Sequence, residues 1–326
     1  MKRIIGIGNA LVDELIRLES DDFLTEHHLP KGSMQLIDFE FAQKLSQYTS
    51  GLESKMCSGG SAANTICGLA LLGIKTAFIG KIGNDRYGEA FLADLEACGV
   101  TPFLVKSDSM SGFCTSLISP DGERTMATFL GAAATLEPSD IDENALQIGD
   151  ILYLEGYLLH NHKLIEKAVS IARQKGLIIA LDLASYNIVE ENLDFLQILV
   201  SECADIVFAN EAEALAFVGA APEEAVDRIA QMCPVAIVKA GAEGSWIKTG
   251  DQKQFINAFT AQAIDTTGAG DLYAAGFLYG YLNGLDIRSC GRIASRMAAK
   301  IVEVIGAKYP QSDYAALKEW ISHLYY

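Results

Sequence analysis

Residues 265–271 read DTTGAGD and run directly into LYAAGFLYG, residues 272–280. Gly268 and Gly270 allow backbone conformations closed to other residues. A helix that starts after them leaves several amides without helical partners, all pointing one way, with the positive dipole end behind them. That is a hole for an anion such as phosphate. Asp271 falls in the first helical turn, where a carboxylate can reach a hydroxyl placed beside the anion. The bland account is a helix start capped by Thr267, with Asp271 facing the dipole. A G-x-G-D turn alone would not separate the two, but seven residues with this spacing at a loop-to-helix junction favour chemistry. No G-x-x-x-x-G-K-[ST] occurs, so no P-loop lysine is expected.

Upstream, short apolar runs alternate with amphipathic stretches. Strands are predicted at 3–8, 76–79, 151–154, 178–181, 206–209 and 235–239, and helices at 62–72, 87–97, 161–174, 211–217 and 222–232. Continuously apolar strands alternating with helices indicate a parallel sheet covered on both faces. The last third is helical, at 269–283, 287–305 and 312–324. Two regions break the rhythm. Residues 11–18 and 33–38, then 101–106, 113–119 and 124–130, read as consecutive strands, with Pro120-Asp121-Gly122 as a hairpin turn. The expected architecture is α/β: a doubly wound, mostly parallel sheet flanked by helices, in one domain over 1–326. A small β-sheet lid is expected from about 11–38 and 101–130, with an edge extension of the main sheet as the alternative.

Composition narrows the partners. Half of the 326 residues are apolar and 21% are charged, a globular balance. The net charge of −17 argues against nucleic acid, and it means an anionic substrate must find an NH-rich spot, which 265–271 supplies. Seven widely spaced cysteines without a C-x-x-C fit free thiols in a reducing cytoplasm. The start of the chain reads as a first strand and not a signal peptide, because Asp13 and Glu14 interrupt its apolar run. No run of about 18 uncharged apolar residues occurs, so no membrane span is expected.

Further motifs surround the first. In Ser58-Gly59-Gly60-Ser61-Ala62-Ala63-Asn64, two glycines let a substrate lie close to the backbone. Asn64, about one helical turn in, carries an amide that suits sugar hydroxyls; an ordinary N-cap after a Gly-rich turn is the alternative. Asp13, in the stretch 9–13 after the first strand, could accept from two adjacent hydroxyls or be a plain exposed carboxylate. Gly6-x-Gly8 lacks the third glycine of a dinucleotide fingerprint, since Leu11 replaces it. Asn210-Glu211-Ala212-Glu213 at a strand end could organise a water-bound magnesium ion, or be an acidic helix start. Residues 239–244 read as a glycine turn into a hairpin that could lie against a flat nucleobase. The five histidines show no ligand spacing.

Residues 265–271 with their small-residue helix resemble the C-terminal signature of the ribokinase-like (PfkB) carbohydrate kinases. Residues 59–73 resemble the N-terminal signature, and Asn210 with Glu213 the N-x-x-E motif. The resemblance spans roughly residues 4–306, with the motifs in the family's order. It implies ATP across the strand ends, a phosphoryl group held by Gly268, Ala269 and Gly270, and Asp271 as catalytic base. It also implies magnesium reached through water by Asn210 and Glu213, and a nucleotide lined by Lys239, Gly241, Gly244 and Thr266. The family's behaviour allows a potassium ion held by carbonyls near Asp265 and Gly306, and either a monomer or a homodimer clasped through the lid. Asp271 needs no strongly raised pKa, since it takes its proton as the bond to phosphorus forms.

Within the family the chain most resembles bacterial adenosine kinases, through GIGNALVD, KGSMQLID, SGGSAANT, ERTM, YLEGYL, ANEAE and the stretch 265–280. Arg124 falls where those enzymes carry a lid arginine near the phosphates. Several pocket side chains differ from those of the animal enzymes. Asp13, Gly60 and Asn64 would hold vicinal hydroxyls of any furanose, with Asn9 and Gly59 also on the substrate side. The far end, aligning with Leu11, Met34, Leu36, Cys114, Met126 and Leu130, is apolar. A free sugar would bury unpaired hydroxyls there at a cost of roughly 1–3 kcal/mol each, whereas a purine gains by burying its faces against adaptable methionines. The expected reaction is transfer to the 5′-hydroxyl of adenosine in purine salvage. The alternatives are a sugar kinase acting on ribose, fructose or a related sugar, and packing of lid on body without a pocket.

Overall fold

The structure, a computed structural model, describes residues 3–121 and 124–325. Its strands are β1 (Ile4–Ile7), β2 (Leu11–Arg17), β3 (Met34–Leu36), β4 (Ser54–Gly59), β5 (Thr76–Gly83), β6 (Thr101–Ser107), β7 (Gly112–Ile118), β8 (Arg124–Phe129), β9 (Ile151–Glu155), β10 (Ile178–Asp182), β11 (Ile206–Asn210), β12 (Val235–Ala240), β13 (Gly244–Thr249) and β14 (Gln252–Asn257). Among the described residues the large sheet runs β14-β13-β12-β11-β10-β9-β1-β5-β6. It is parallel from β12 to β6, with β13 and β14 added antiparallel at one edge.

Side chains alternate across this sheet into two separate cores. Ile151 and Tyr153 of β9 enter one with the helices Ser61–Leu72, Ala269–Leu282 and Ile287–Ile301. Leu152 and Leu154 enter the other with His162–Gln174, Leu193–Glu202 and Pro222–Ile229. Both faces are dry, so the strands are apolar throughout, as a parallel sheet requires. Residues 272–280 are small for a reason of packing. A Cβ on Gly276 would come within 2.7 Å of the Ala294 Cα, and one on Gly280 within 3.0 Å of the Cys290 Cα. The helix of the decisive motif thus lies nearly backbone to backbone against Ile287–Ile301.

The second sheet runs β3-β8-β7-β2-β4. Its outer face buries Ile16, Leu117 and Ala127 with Leu45 of the helix Phe39–Tyr48. Two parts of the expected lid are corrected. The strand at 101–107 pairs in parallel with β5 at the far edge of the large sheet, so it is not part of the small one. The small sheet instead gains β4, paired with β2. β4 reads SKMCSG, too polar and too short of alternation to announce a strand. The helices Phe39–Tyr48 and Leu193–Glu202 also went unread; the second is apolar around most of its surface and offers little period to follow. Gly122 of the expected hairpin turn lies outside the described residues, but β7 and β8 pair antiparallel on either side of it. No described helix is long and apolar enough to cross a membrane.

Candidate active site

The carboxyl ends of the parallel strands converge on a cavity of about 390 Å³. This is the crevice where open α/β sheets bind ligands. The second sheet and the start of the helix Ala269–Leu282 close its other sides.

Asp271 lies at the centre. Its carboxylate accepts from Ser61 Oγ at 2.7 Å and from Asn64 Nδ2 at 2.9 Å, so the turn at 58–64 and the loop at 265–271 meet on one group. Burial pushes the Asp271 carboxyl up to about 6; the bonds from Asn64 and Ser61 hold it down, and Asp182 adds to the rise. The sequence anticipates no such rise, since nothing in it shows how dry the site is. At neutral pH the group is still ionised and available as a base.

The anion hole differs from expectation in its donors: the Ala269 amide is engaged within the loop, so the hole is not formed by Gly268, Ala269 and Gly270 together, and the alternative of a Thr267 cap also fails. Gly268 is the N-cap residue, with φ of 76° and no side-chain cap bond. A side chain there would also strike Ala307, whose Cα lies 2.9 Å from where the Cβ would sit. The Ala269 amide donates to the Thr266 carbonyl at 3.2 Å and closes a turn. The amides of Gly270 and Asp271 are left without an acceptor among the described residues. Asp265 braces the loop: Oδ1 accepts the Thr267 amide at 2.9 Å and Oδ2 the Gly306 amide at 2.8 Å. Lys239 adds positive charge, its Nζ lying 3.2 Å from where a Gly270 Cβ would sit.

That lysine belongs to a group the sequence reading captured only in part. Lys239 Nζ donates to Asp182 at 3.3 Å. Burial opposes the charge on Lys239, but Asp182 and Glu213 outweigh it and hold the ammonium above the ordinary lysine range. Asn210 and Glu213 form a reciprocal capping box. The backbone and side-chain N–H groups of Asn210 donate to the two Glu213 oxygens at 2.7 and 2.6 Å, and the Glu213 amide donates to Asn210 Oδ1 at 2.8 Å. The plain helix-start reading of this motif therefore holds, while both residues also line the cavity. Burial raises the Glu213 carboxyl to about 7, against the pull of Lys239.

On the acceptor side, Asp13, Gly60, Asn64 and Met126 line the cavity. Gly60 has φ of 87°, and a Cβ there would lie 2.3 Å from the Asn9 carbonyl oxygen, so the two acceptor turns touch through backbone. Glu155 ties them from beneath, accepting from the Asn9 backbone and side-chain N–H groups and from the Ala62 amide, all at 2.8 Å. Its burial pushes it up to about 7, those bonds notwithstanding. Asn9 Oδ1 and Asn64 Oδ1 are buried with no hydrogen-bond partner among the described residues. Buried acceptors of this kind call for a donor, and sugar hydroxyls would supply one.

Register places the expected far end of the pocket on one face of the small sheet. Asp13 pairs with Cys114, Cys114 with Thr128, Thr128 with Leu36, and Met126 with Met34. Three points correct the expectation. Leu36 is 66% exposed on the edge strand and does not line the cavity. The face is not wholly apolar, because Ser116 and Thr128 share its register. Gly244 starts β13 with φ of 138°, and a Cβ there would sit 2.0 Å from the Ile256 carbonyl oxygen of β14; neither it nor Gly241 lines the cavity. Leu11, Gly59 and Cys114 are not among the lining residues; Gly59 packs on the Asp13 carboxylate, and Leu11 on Gly112. The side chains of Met34 and Arg124 lie outside the described residues.

Four lining or supporting residues escaped the sequence reading. Ser61 follows the glycine pair, and nothing in the sequence around it points to Asp271. Asp182 ends a strand as Asn210 does, so the strand-end rule would have found it. Tyr157 and Glu155 lie inside YLEGYL, but only the fold shows that Tyr157 borders the cavity and Glu155 supports its floor.

A doubly wound sheet, open amides at a helix start and a carboxylate beside them fit a phosphotransferase acting on hydroxyl acceptors. The chain belongs to the pfkB family of carbohydrate kinases, whose description matches residues 33–313. It is an ATP-dependent kinase of sugars or nucleosides. An uncharacterised sugar kinase of Archaeoglobus fulgidus is 33% identical over 74% of this chain and 96% of its own. Among solved structures, a probable sugar kinase from Rhizobium etli superposes with a TM-score of 0.88 at 34% identity, covering 98% of this chain and 99% of its own. An adenosine kinase from Sinorhizobium meliloti does so with a TM-score of 0.87 at 33% identity, with the same coverage.

Proposed function

We propose that this protein transfers the γ-phosphoryl group of ATP to the 5′-hydroxyl of adenosine, giving AMP. The observation that carries the reading is the cavity's two-sided build. One wall holds acceptors for ribose hydroxyls, Asp13 and Asn64, while Met126 and the half-exposed ring of Tyr157 offer apolar and aromatic surface to a base. A flat purine gains from such a ring and such a methionine. The likeness to the Sinorhizobium adenosine kinase supports the same acceptor. Ser116 and Thr128 in the lid register, and the sugar-kinase relative, favour the second reading, a free-sugar kinase.

In the proposed reaction Asp271 accepts the proton of the attacking hydroxyl, oriented by Ser61 and Asn64. The amides of Gly270 and Asp271, with Lys239, receive the charge of the transferring group. Magnesium, when bound, would neutralise the ATP phosphates. Both Glu213 oxygens are already engaged by Asn210, and the described residues contain no cluster of three metal-ligating acids or histidines. Asn210 and Glu213 would hold such an ion through water. Asp265 pins together the two loops whose carbonyls would surround a potassium ion. One domain, with the small sheet as lid, a cytoplasmic setting and a place in purine salvage complete the reading.

An acceptor screen with ATP and magnesium tests it. Adenosine is expected to show kcat/KM at least about tenfold above ribose or fructose, the scale set by unpaired hydroxyls in an apolar pocket. Equal or better turnover of a free sugar would favour the second reading.

A further inference from the structure

The segment after the helix Ile287–Ile301 touches both halves of the site without entering it. Its Gly306 amide donates to Asp265, which fixes the loop of the anion hole. Two residues on, Lys308 Nζ donates to Asp94 Oδ2 at 2.5 Å and to Ser58 Oγ. Asp94 Oδ2 also accepts the Ser58 amide at 2.8 Å, closing a three-membered network. Ser58 is buried, and it immediately precedes Gly59 and Gly60. Asp94 comes from a third element, the helix Arg86–Cys98. The Lys308 and Asp94 side chains are 19% and 31% exposed, so solvent screens them only partly. Burial opposes the Lys308 charge, but Cys67, Asp94 and Cys98 facing it hold the ammonium charged well beyond neutral pH. On the other side, Lys308 draws the Asp94 carboxyl below the usual range in spite of its burial.

We infer that Lys308 and Asp94 are positioning residues for the phosphoryl acceptor: they fix the 58–64 turn against the anion-hole loop and touch neither substrate. The inference rests on the proposed role of that turn in holding the acceptor. It does not depend on which acceptor is used. Ser58 sets where Gly59 and Gly60 lie, and Ser61 and Asn64 next to them orient Asp271. The nucleotide side of the cavity is built from other segments, those of Asn210, Glu213 and Lys239. Loosening the network should therefore misplace the acceptor and spare ATP. A displacement of an ångström is enough to cost activity measurably.

The test measures KM for ATP and for whichever acceptor the enzyme turns over best, in Lys308→Met, Asp94→Asn, their double variant and Lys308→Arg. Acceptor KM is expected to rise about tenfold in each single variant, by the cost of misplacing a reacting group. ATP KM should stay within about twofold, the double variant should be no worse than the singles as one network implies, and Lys308→Arg should recover most of the loss. Ser58→Ala removes one hydroxyl and little else; it should raise acceptor KM about threefold, the scale of one hydrogen bond. It decides the matter if the lysine variant does not fold. Unchanged acceptor KM in folded variants, or ATP and acceptor KM rising together, would overturn the inference. Failure of adenosine to react would leave this readout intact with another acceptor.

Discussion

Replacing Asp271 by Asn is expected to lower kcat by about 10²–10⁴-fold, the range for losing a positioned general base. ATP binding should be nearly unchanged, because the group meets the acceptor and not the nucleotide. The variant should fold: the new amide keeps the shape of the side chain, and the Ser61 hydroxyl can turn to accept where it had donated. The same carboxyl predicts a pH profile. Burial raises it to about 6, so the basic form prevails above that value and is lost below it. In the wild type, kcat/KM should fall as pH drops through about 6, and Asp271→Asn should lack that limb. A variant with near-normal kcat would remove Asp271 from its role.

Asp13→Ala should be nearly as damaging, but to the acceptor alone. A carboxylate accepting from two vicinal hydroxyls contributes roughly 1.5–3 kcal/mol for each, so kcat/KM for the acceptor should fall about 10²–10⁴-fold. ATP KM should hold. If Asp13 reads those hydroxyls, the wild type should be as poor with 2′,3′-dideoxyadenosine as the variant is with adenosine. The variant should then lose little more on the dideoxy substrate. Additive losses would place the hydroxyls elsewhere.

The loop and helix at 265–280 were legible because their chemistry is local: a glycine turn, a helix start and a carboxylate within seven residues. Strand ends followed from the apolar runs before them, which is why Asn210 and Lys239 were found. What escaped depends on partners far away in sequence. Nothing near Glu155 shows that it ties Asn9 to Ala62, and nothing near Leu36 shows that its strand is an edge. Register across four strands brings Ser116 and Thr128 onto the lid face, and no single stretch encodes that. The rise in the Asp271 carboxyl is a property of burial, which sequence patterns convey poorly.

The central claim is that a phosphoryl group passes to the 5′-oxygen of adenosine beside Asp271, and the site of phosphate in the product tests it most directly. Protein, ATP, magnesium and adenosine would be incubated, and the nucleotide product identified by phosphorus NMR. A new phosphomonoester coupled to the two 5′ protons of adenosine, with ADP formed in equal amount, is the predicted result. ADP without phosphorylated adenosine, or phosphate on the 2′- or 3′-oxygen, would contradict it.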